Sequence, residues 1–565
     1  MKRSKMLAVA GLTVAAVCFS GCSGKKQDAT ASVRPENTVT LDVFSQLANY
    51  SGLQTGWFAD IMLEKFNVRL NIIPDVGGAY QTRMESENLG DLVIWGSDGE
   101  QYQNAVRAGY LLDWEEDNLL ANYGPYINAH MKLALQKNKF LVSPDNKLHG
   151  FGHGVSTTPK DLQQFFYTWD LRFDLYEQLG TPEINTLDDL ADVLAQMKEI
   201  CPKDDNGNTT YGVSMFNDWD GDMVMFVKAL ATAYYGYDEF YTGLYDPSTG
   251  KFHGALEENG PYLACLKFYN KLFQMGLVDP DSLTQKYNGM SEDYQNGTAF
   301  WNIFNWMGSG TYNSDTHVSQ GKAMYPVAPK DARPLVYGQN VYGAERIWSI
   351  GAKTAYPELC MAIINWFCTP EGFLTTQYGP EGVAWEIKGK KQYLTDFGKR
   401  AMADQNNTEM PAPYKGTFMD GSFKINNITW SVDATNPLTD GETYNRYFWP
   451  SELKDAQYAI EKSWREWAGA ANPDAYLQKF NYQLAPGTLY SAQPVPTELD
   501  MKKTQVCEAI KTSSWNAIYA TSDADYDRIV AKMISDCKAY GWDDLEAFYA
   551  EQAQKRAAAE RAATN

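Results

Sequence analysis

Residues 89–95 read Leu89-Gly90-Asp91-Leu92-Val93-Ile94-Trp95. From Asp91 to Trp95 the run is short, continuous and apolar behind a single acid. That is the pattern of a strand buried on both faces, as in a parallel sheet covered by helices. The flanking segments agree. Thr38 to Phe44 (TVTLDVF) alternates as a strand, Trp57 to Phe66 has helical spacing, and Val68 to Ile73 (VRLNII) alternates again. Strand, helix, strand and helix in this order predict an α/β lobe built on a mostly parallel sheet.

The chain has 565 residues, more than one hydrophobic core usually serves, so at least two lobes are expected. Leu148 to Gly154 is Gly-rich and reads as a crossing between them. Beyond it, Phe165 to Thr168 reads as a strand. Asp188 to Ile200 reads as an amphipathic helix, with Thr186 as N-cap three residues before Asp189. Further helices are expected at Met223–Tyr235, Pro261–Met275 and Pro357–Phe367, and a strand at Thr298–Phe304. Five C-terminal helices are expected within Gln457–Ala563.

Composition narrows the function. Hydrophobic residues make up 44 % of the chain, which excludes a disordered polypeptide, and a mean hydropathy of −0.43 excludes a polytopic membrane protein. The net charge of −21 would repel a phosphate backbone, so nucleic acid is no partner. Sixteen Trp, 36 Tyr and 25 Phe supply many flat apolar faces, which pack cores and also stack on sugars.

The N-terminus reads as an address. Lys2, Arg3 and Lys5 precede the 14-residue apolar run Met6–Phe19, too short to cross a bilayer comfortably and suited to a signal peptide. Phe19-Ser20-Gly21-Cys22 resembles a bacterial lipobox, which implies removal of residues 1–21 and acylation of Cys22. Residues 22–37 then read as a polar tether. Because the body is strongly acidic, the lipid and not a basic patch must hold it to the membrane. The remaining cysteines form no CxxC pair, and most lie in apolar helical contexts.

Enzyme templates find little. The chain has no G-x-S-x-G elbow, no H-E-x-x-H and no P-loop, and only five histidines. Asp218, Asp220 and Glu381 are the carboxylates that a glycan hydrolase could use. Hydrogen-bond acceptors in a solvated turn are the plainer reading of the first two.

Several segments resemble the extracellular solute-binding proteins of carbohydrate ABC transporters, family 1, the group that includes maltose-binding protein. The likeness is to the large lipoprotein members typical of Gram-positive bacteria. It is carried by Asp91–Trp95 with Asp98, by Ala108-Gly109-Tyr110-Leu111-Leu112-Asp113, and by Tyr167–Gly180 with Thr181, Pro182, Thr186, Leu187 and Leu190. Gly379–Glu386 and the tail around Asp525-Tyr526-Asp527 and Gly541-Trp542-Asp543 add to it. The resemblance implies a two-lobed, type II periplasmic-binding-protein-like α/β fold with the ligand in the cleft and extra C-terminal helices. Carried onto this chain, lobe 1 is 38–160 plus 305–368, lobe 2 is 161–304 plus 369–500, and 501–565 forms the C-terminal helices. The implied protein is no enzyme. It is a monomeric, lipid-anchored receptor on the extracellular face of the cytoplasmic membrane, handing a carbohydrate to an ABC permease. A secreted hydrolase and a purely adhesive surface lipoprotein are the alternatives.

Each site candidate has a plainer alternative. Trp95 and Asp98 follow a strand end, where Trp would stack on a sugar and Asp accept its hydroxyls. Otherwise they are a core residue and an N-cap. Trp95→Ala is then expected to abolish sugar binding without unfolding the body. Trp219 and Asp220 correspond to a second-lobe segment that lends groups to the sugar. Trp301 and Trp306 are expected on the return crossing, Trp348 before a strand, Trp385 in the "E-G-x-x-W" block, and Gln46 after the first strand. No cofactor is expected. Asp204, Asn206 and Asn208 stand at positions 1, 3 and 5 of an EF-hand-like Ca²⁺ loop, but Thr209 replaces its glycine and Met215 its acid, so a plain turn is the competing reading.

Overall fold

A computed structural model describes residues 33–156, 162–426, 434–454, 456, 458–490 and 492–564, the side chains as far as 562. The signal segment, Cys22 and most of the tether lie outside the described residues. Among those described, no helix is long and apolar enough to cross a membrane.

Five strands come first: β1 (Val39–Ser45), β2 (Gly52–Leu53), β3 (Val68–Pro74), β4 (Leu92–Ile94) and β5 (Phe151–Gly152). β6 (Tyr167–Arg172), β7 (Trp301–Phe304) and β8 (Met324–Pro326) form a second sheet, and β9 (Ile347–Ile350) returns to the first. The first sheet runs β2-β3-β1-β4-β9-β5. β1 is parallel to β3 and β4, while β9 lies antiparallel to β4 and β5. Asp91 sets the register of β4. Its backbone N–H donates to Asp42 O (2.8 Å), and its carboxylate accepts from Asp42 N (2.8 Å) and Thr354 Oγ1 (2.6 Å). Leu92, Val93 and Ile94 are all buried, as the unbroken apolar run predicts.

The second sheet is antiparallel, β7-β6-β8. The helix after it spans Leu187–Ile200. Thr186 and Asp189 form the expected capping box, each side chain meeting the other's backbone N–H.

Two large apolar cores, beside two smaller clusters, hold the described chain, and their membership departs from the expected segments. Met324, Val327 and Val336 belong to the second core, while Phe373, Tyr378, Trp385, Phe418 and Trp449 belong to the first. The chain therefore returns to the first core near residues 338–346, after β8 has paired with β6 and Leu335–Tyr337 with Gln483–Ala485. It does not cross at 369. Thr369 closes the helix Pro357–Cys368 and caps the helix Pro370–Tyr378, so one element runs directly into the next. A third crossing lies between Trp449, in the first core, and Ile460, in the second.

The C-terminal helices Thr497–Ile518, Asp523–Ala539 and Trp542–Thr564 pack into the second core. Tyr262 Oη donates to Ser514 Oγ (3.0 Å), and Asn270 Nδ2 donates to Ala520 O (2.8 Å). The six cysteines from Cys201 to Cys537 are free, five of them buried.

Candidate functional site: an aromatic shelf beside the crossings

The loop Asn217–Gly221 precedes the helix Met225–Tyr235 and carries Trp219 into solvent, with 49 % of the residue exposed. Its ring stacks on Tyr287, with centroids 4.7 Å apart and planes 21° from parallel. Trp306, just past β7, lies 5.8 Å from Trp219 and 6.2 Å from Tyr287. Buried Phe216 supports Trp219 edge-on at 5.0 Å. Buried Phe304 underlies Trp306 at 5.7 Å, and Phe166 (42 % exposed) lies 5.7 Å beyond it.

The shelf is held from several elements. Tyr287 opens the helix Tyr287–Gln295, and its neighbour Lys286 pairs with Asp218 (2.5 Å). Asn217 Nδ2 donates to Leu283 O (2.9 Å). The expected Gly-rich crossing stays in the first lobe, where Leu148, Phe151 and Val155 pack on the first core, and Phe165 is the next core residue, in the second. There Gln164 Oε1 accepts from Asn445 Nδ2 (3.3 Å) and ties the two bodies together beside Phe166. The shelf thus lies on the edge of the second lobe that adjoins the crossings. Its rings offer flat apolar faces, and Asp218 and Lys286 offer polar groups at one rim. Such a surface suits a pyranose, whose faces are apolar and whose rim is hydroxylated. The side chains are aromatic and partly open, the composition typical of binding hot spots.

In the first lobe, the carboxyl ends of β1, β3 and β4 converge on Gln46. Its Oε1 accepts from Gly96 N (2.9 Å), and its Nε2 donates to Asp75 Oδ2 (3.1 Å) and to Gln101 Oε1. Both ends of the amide are engaged, so Gln46 organises the strand ends where α/β sheets bind ligands. Asp98 sits nearby, largely buried, and its Oδ2 makes no hydrogen bond among the described residues. Burial pushes its carboxyl up to about 6, and the nearby Lys137 limits the rise.

The structure separates the remaining candidates. Trp95 is fully buried between Tyr80 and Tyr102, at 6.2 and 5.8 Å, and presents no open face for stacking. Trp301 is buried in β7 against Trp169 and Phe268, and so does not lie on a crossing. Trp348 is buried under His153 and Phe367. Trp385 is buried in the hairpin Trp385–Leu394, where its Nε1 donates to Gly379 O (2.8 Å). Asp220 is buried too. Its Oδ1 accepts from Met225 N (3.0 Å) at the start of a helix, and its Oδ2 accepts from Trp515 Nε1 (2.7 Å) of the C-terminal helix. Of the nine expected ligand contacts, exposed Trp219 and partly buried Trp306 share one surface. Tyr287 and Phe166 join them without having been singled out. Neither sits in a distinctive motif, and only the folded chain brings them to Trp219.

The hydrolase carboxylates do not assemble. Asp218 is paired with Lys286, Asp220 is spent inside the lobe, and Glu381 belongs to the turn before Trp385 in the other lobe. At the calcium-like loop, Asp204 accepts from Asn206 N (2.9 Å), Asn208 N (2.8 Å), Asn208 Nδ2 (3.0 Å) and Thr298 Oγ1 (2.7 Å). The three residues close on one another as a turn, and no cluster fit for a metal occurs among the described residues.

No family model and no curated protein matches this chain. Solved structures do, over nearly its whole length. The alginate-binding protein AlgQ2, crystallised without calcium ion, is 15 % identical, with 92 % of this chain and 99 % of that one covered and a TM-score of 0.57. The ABC-transporter substrate-binding protein FusA of S. pneumoniae, in complex with kestose, is 12 % identical with the same coverage and a TM-score of 0.58. An extracellular solute-binding protein from Bifidobacterium longum subsp. infantis is 12 % identical with the same coverage and a TM-score of 0.55. This is the fold of the two-lobed ABC-transporter solute-binding proteins. In a solute-binding fold the ligand is gripped between the lobes.

Proposed function

We propose that the chain is a lipid-anchored extracellular receptor that captures a carbohydrate by cleft closure and delivers it to an ABC importer. The observation that carries the reading is the array of exposed Trp219 with partly buried Tyr287 and Trp306, beside the crossings of a solute-binding fold. Closure needs no chemistry. A ligand that touches both lobes binds the closed form better and shifts the population toward it. An array of several rings favours an oligosaccharide over a single sugar. Names of the structural neighbours support the class: AlgQ2 is an alginate-binding protein, and FusA was crystallised with kestose. Acylation at Cys22 would keep the receptor at the outer face of the membrane as a monomer beside its permease.

The test is a thermal-shift screen of residues 23–565 against a glycan panel, with each stabilising glycan recovered and checked for cleavage. A ligand at 100 times its Kd adds about 2.7 kcal/mol of stability, enough to be seen. A shift with intact glycan supports the receptor. A cleaved glycan overturns it in favour of a hydrolase, and no shift with any glycan removes carbohydrate as the ligand class.

A further inference from the structure

A second concavity lies past the shelf, toward the C-terminal helix. Its volume of about 440 Å³ falls within the ~300–1,000 Å³ typical of ligand pockets. Four elements wall it. The strand Asp238–Glu239 with the turn at Tyr241 forms one side, and the end of the strand Leu335–Tyr337 with the crossing that follows, as far as Glu345, forms the next. The loop carrying Tyr490 and the last helix, through Arg556, complete it.

Between this cavity and the open rings of the shelf stand two buried residues, Phe304 and Tyr167, with the exposed Phe166 beside them. The Tyr167 ring lies 5.1 Å from Phe166 and 5.5 Å from Phe304. Its hydroxyl meets that of Tyr337, which donates to Asp238 Oδ1 (2.7 Å) in the cavity wall.

The charge of the wall is one-sided. Arg556 is the one cation among the lining residues, and it is spent: its guanidinium pairs with Asp238 (2.6 Å) and with Glu560 (2.9 Å). Glu239 is partly exposed beside Lys228. Glu345 is exposed and makes no hydrogen bond or ion pair among the described residues. These carboxylates can accept from sugar hydroxyls, and Tyr241 and Tyr490 offer aromatic surface. The cations at hand are engaged, Arg556 with Asp238 and Glu560, Lys228 with Glu239, and Lys137 with Gly343 O (3.2 Å) between Glu345 and Asp98, so a carboxylate on the ligand would meet like charge.

We propose that this cavity extends the shelf into a longer groove that holds uncharged sugar units and rejects uronic acids. The inference rests on the carbohydrate-capture reading and adds to it both a length preference and a charge selectivity. It sets this chain apart from its structural neighbour AlgQ2, an alginate-binding protein.

The experiment is calorimetric titration of the full chain with fructo-, gluco- and manno-oligosaccharides of two to six units, and with alginate oligosaccharides of the same lengths. It is repeated on Ala492→Trp, which fills the cavity from an exposed position, and on Glu345→Lys. The expected result has three parts. Affinity in one neutral series rises at least tenfold from the shortest binder to the longest. Ala492→Trp erases that rise while leaving the shortest binder unchanged. Alginate binds only after Glu345→Lys, or at least tenfold more tightly than to the wild type. Equal affinity along the neutral series, a rise untouched by Ala492→Trp, or alginate binding as tight as the neutral series each overturns the inference while leaving carbohydrate capture standing. Binding of no oligosaccharide at all overturns the capture reading itself, and this inference with it.

Discussion

Trp219 and Tyr287 come from a loop and from the first position of a distant helix, yet their rings stack at 4.7 Å, with Trp219 half in solvent. A stacked pair left open to water stabilises the fold little and is free to receive a third flat face. Trp219→Ala and Trp306→Ala should therefore weaken glycan binding at least tenfold, the scale of a hot-spot aromatic, with Trp219→Ala, the more exposed of the two, changing the unfolding midpoint little. Titration of each variant with the glycan found by the screen, beside its denaturant curve, checks this. Retained affinity in both variants would remove the shelf from the site.

Trp95→Ala should behave in the opposite way. The ring is enclosed by Tyr80 and Tyr102, and truncating a fully buried Trp costs about 3–5 kcal/mol through lost burial and the cavity left behind. The expected outcome is a large fall in the denaturation midpoint, with any loss of binding following loss of fold. A variant of wild-type stability that fails to bind would restore Trp95 to the site.

The C-terminal helices should prove integral to the second lobe. Asp220 bonds both the start of the helix Met225–Tyr235 and Trp515. Hydrogen bonds to a charged group contribute about 1.5–3 kcal/mol, and removing Asp220 also strands a buried indole N–H. Asp220→Ala and Trp515→Phe should each destabilise by that order. In the double variant the costs should add to less than their sum, because both remove the same bond. Strict additivity in a double-mutant cycle would rule out the coupling.

Asp293 makes the stability depend on pH. Burial first, then the proton-sharing neighbour Asp279, push its carboxyl up to about 7, although Ser214 hydrogen-bonds it. The folded state thus holds a proton that the unfolded state releases near pH 4. The sign follows: stability falls as pH rises from about 4 to about 7. Asp98 and Asp170, both pushed up to about 6 chiefly by burial, act in the same window. Asp293→Asn should flatten that decline and leave the variant more stable than wild type relative to pH 4, by about 1 kcal/mol or more at pH 8. Denaturation midpoints at pH 4.5, 6 and 8 measure it. An unchanged slope in the variant sinks the assignment.

Asp204 works with the reverse sign. Burial opposes its ionisation, but the hydrogen bonds from Thr298 and Asn208 outweigh burial and hold the carboxyl below its usual range. Its contribution is present above about pH 4 and is lost only as the pH falls below that. Because the carboxylate is occupied by donors, a calcium chelator should leave the melting temperature unchanged, and Asp204→Ala should lower it in buffer with or without calcium. A chelator-induced fall would show that a cation is held there.

Much of the architecture was legible locally. The unbroken run Leu92–Ile94, the alternation of β1 and β3 and the Thr186–Asp189 cap each express a rule that acts over a few residues, and each forms as read. The lobe boundaries were not. Residues 305–337 and 369–449 have no local feature that says which core they join. That depends on β8 finding β6 and on Thr369 leading one helix straight into the next.

The tryptophans show the same division most sharply. Trp95 and Trp306 both follow a strand, and by sequence either could be a platform. What covers each ring comes from elsewhere in the chain: Tyr80 and Tyr102 close over Trp95, whereas Trp306 meets Trp219 and Tyr287 at an open edge. The sequence by itself determined the elements, the α/β class and the acidic, aromatic-rich character, because propensity and hydrophobic periodicity act locally. Only the tertiary structure decided which aromatic faces are spent on packing and which stay available to a ligand, because burial is set by residues far away in sequence.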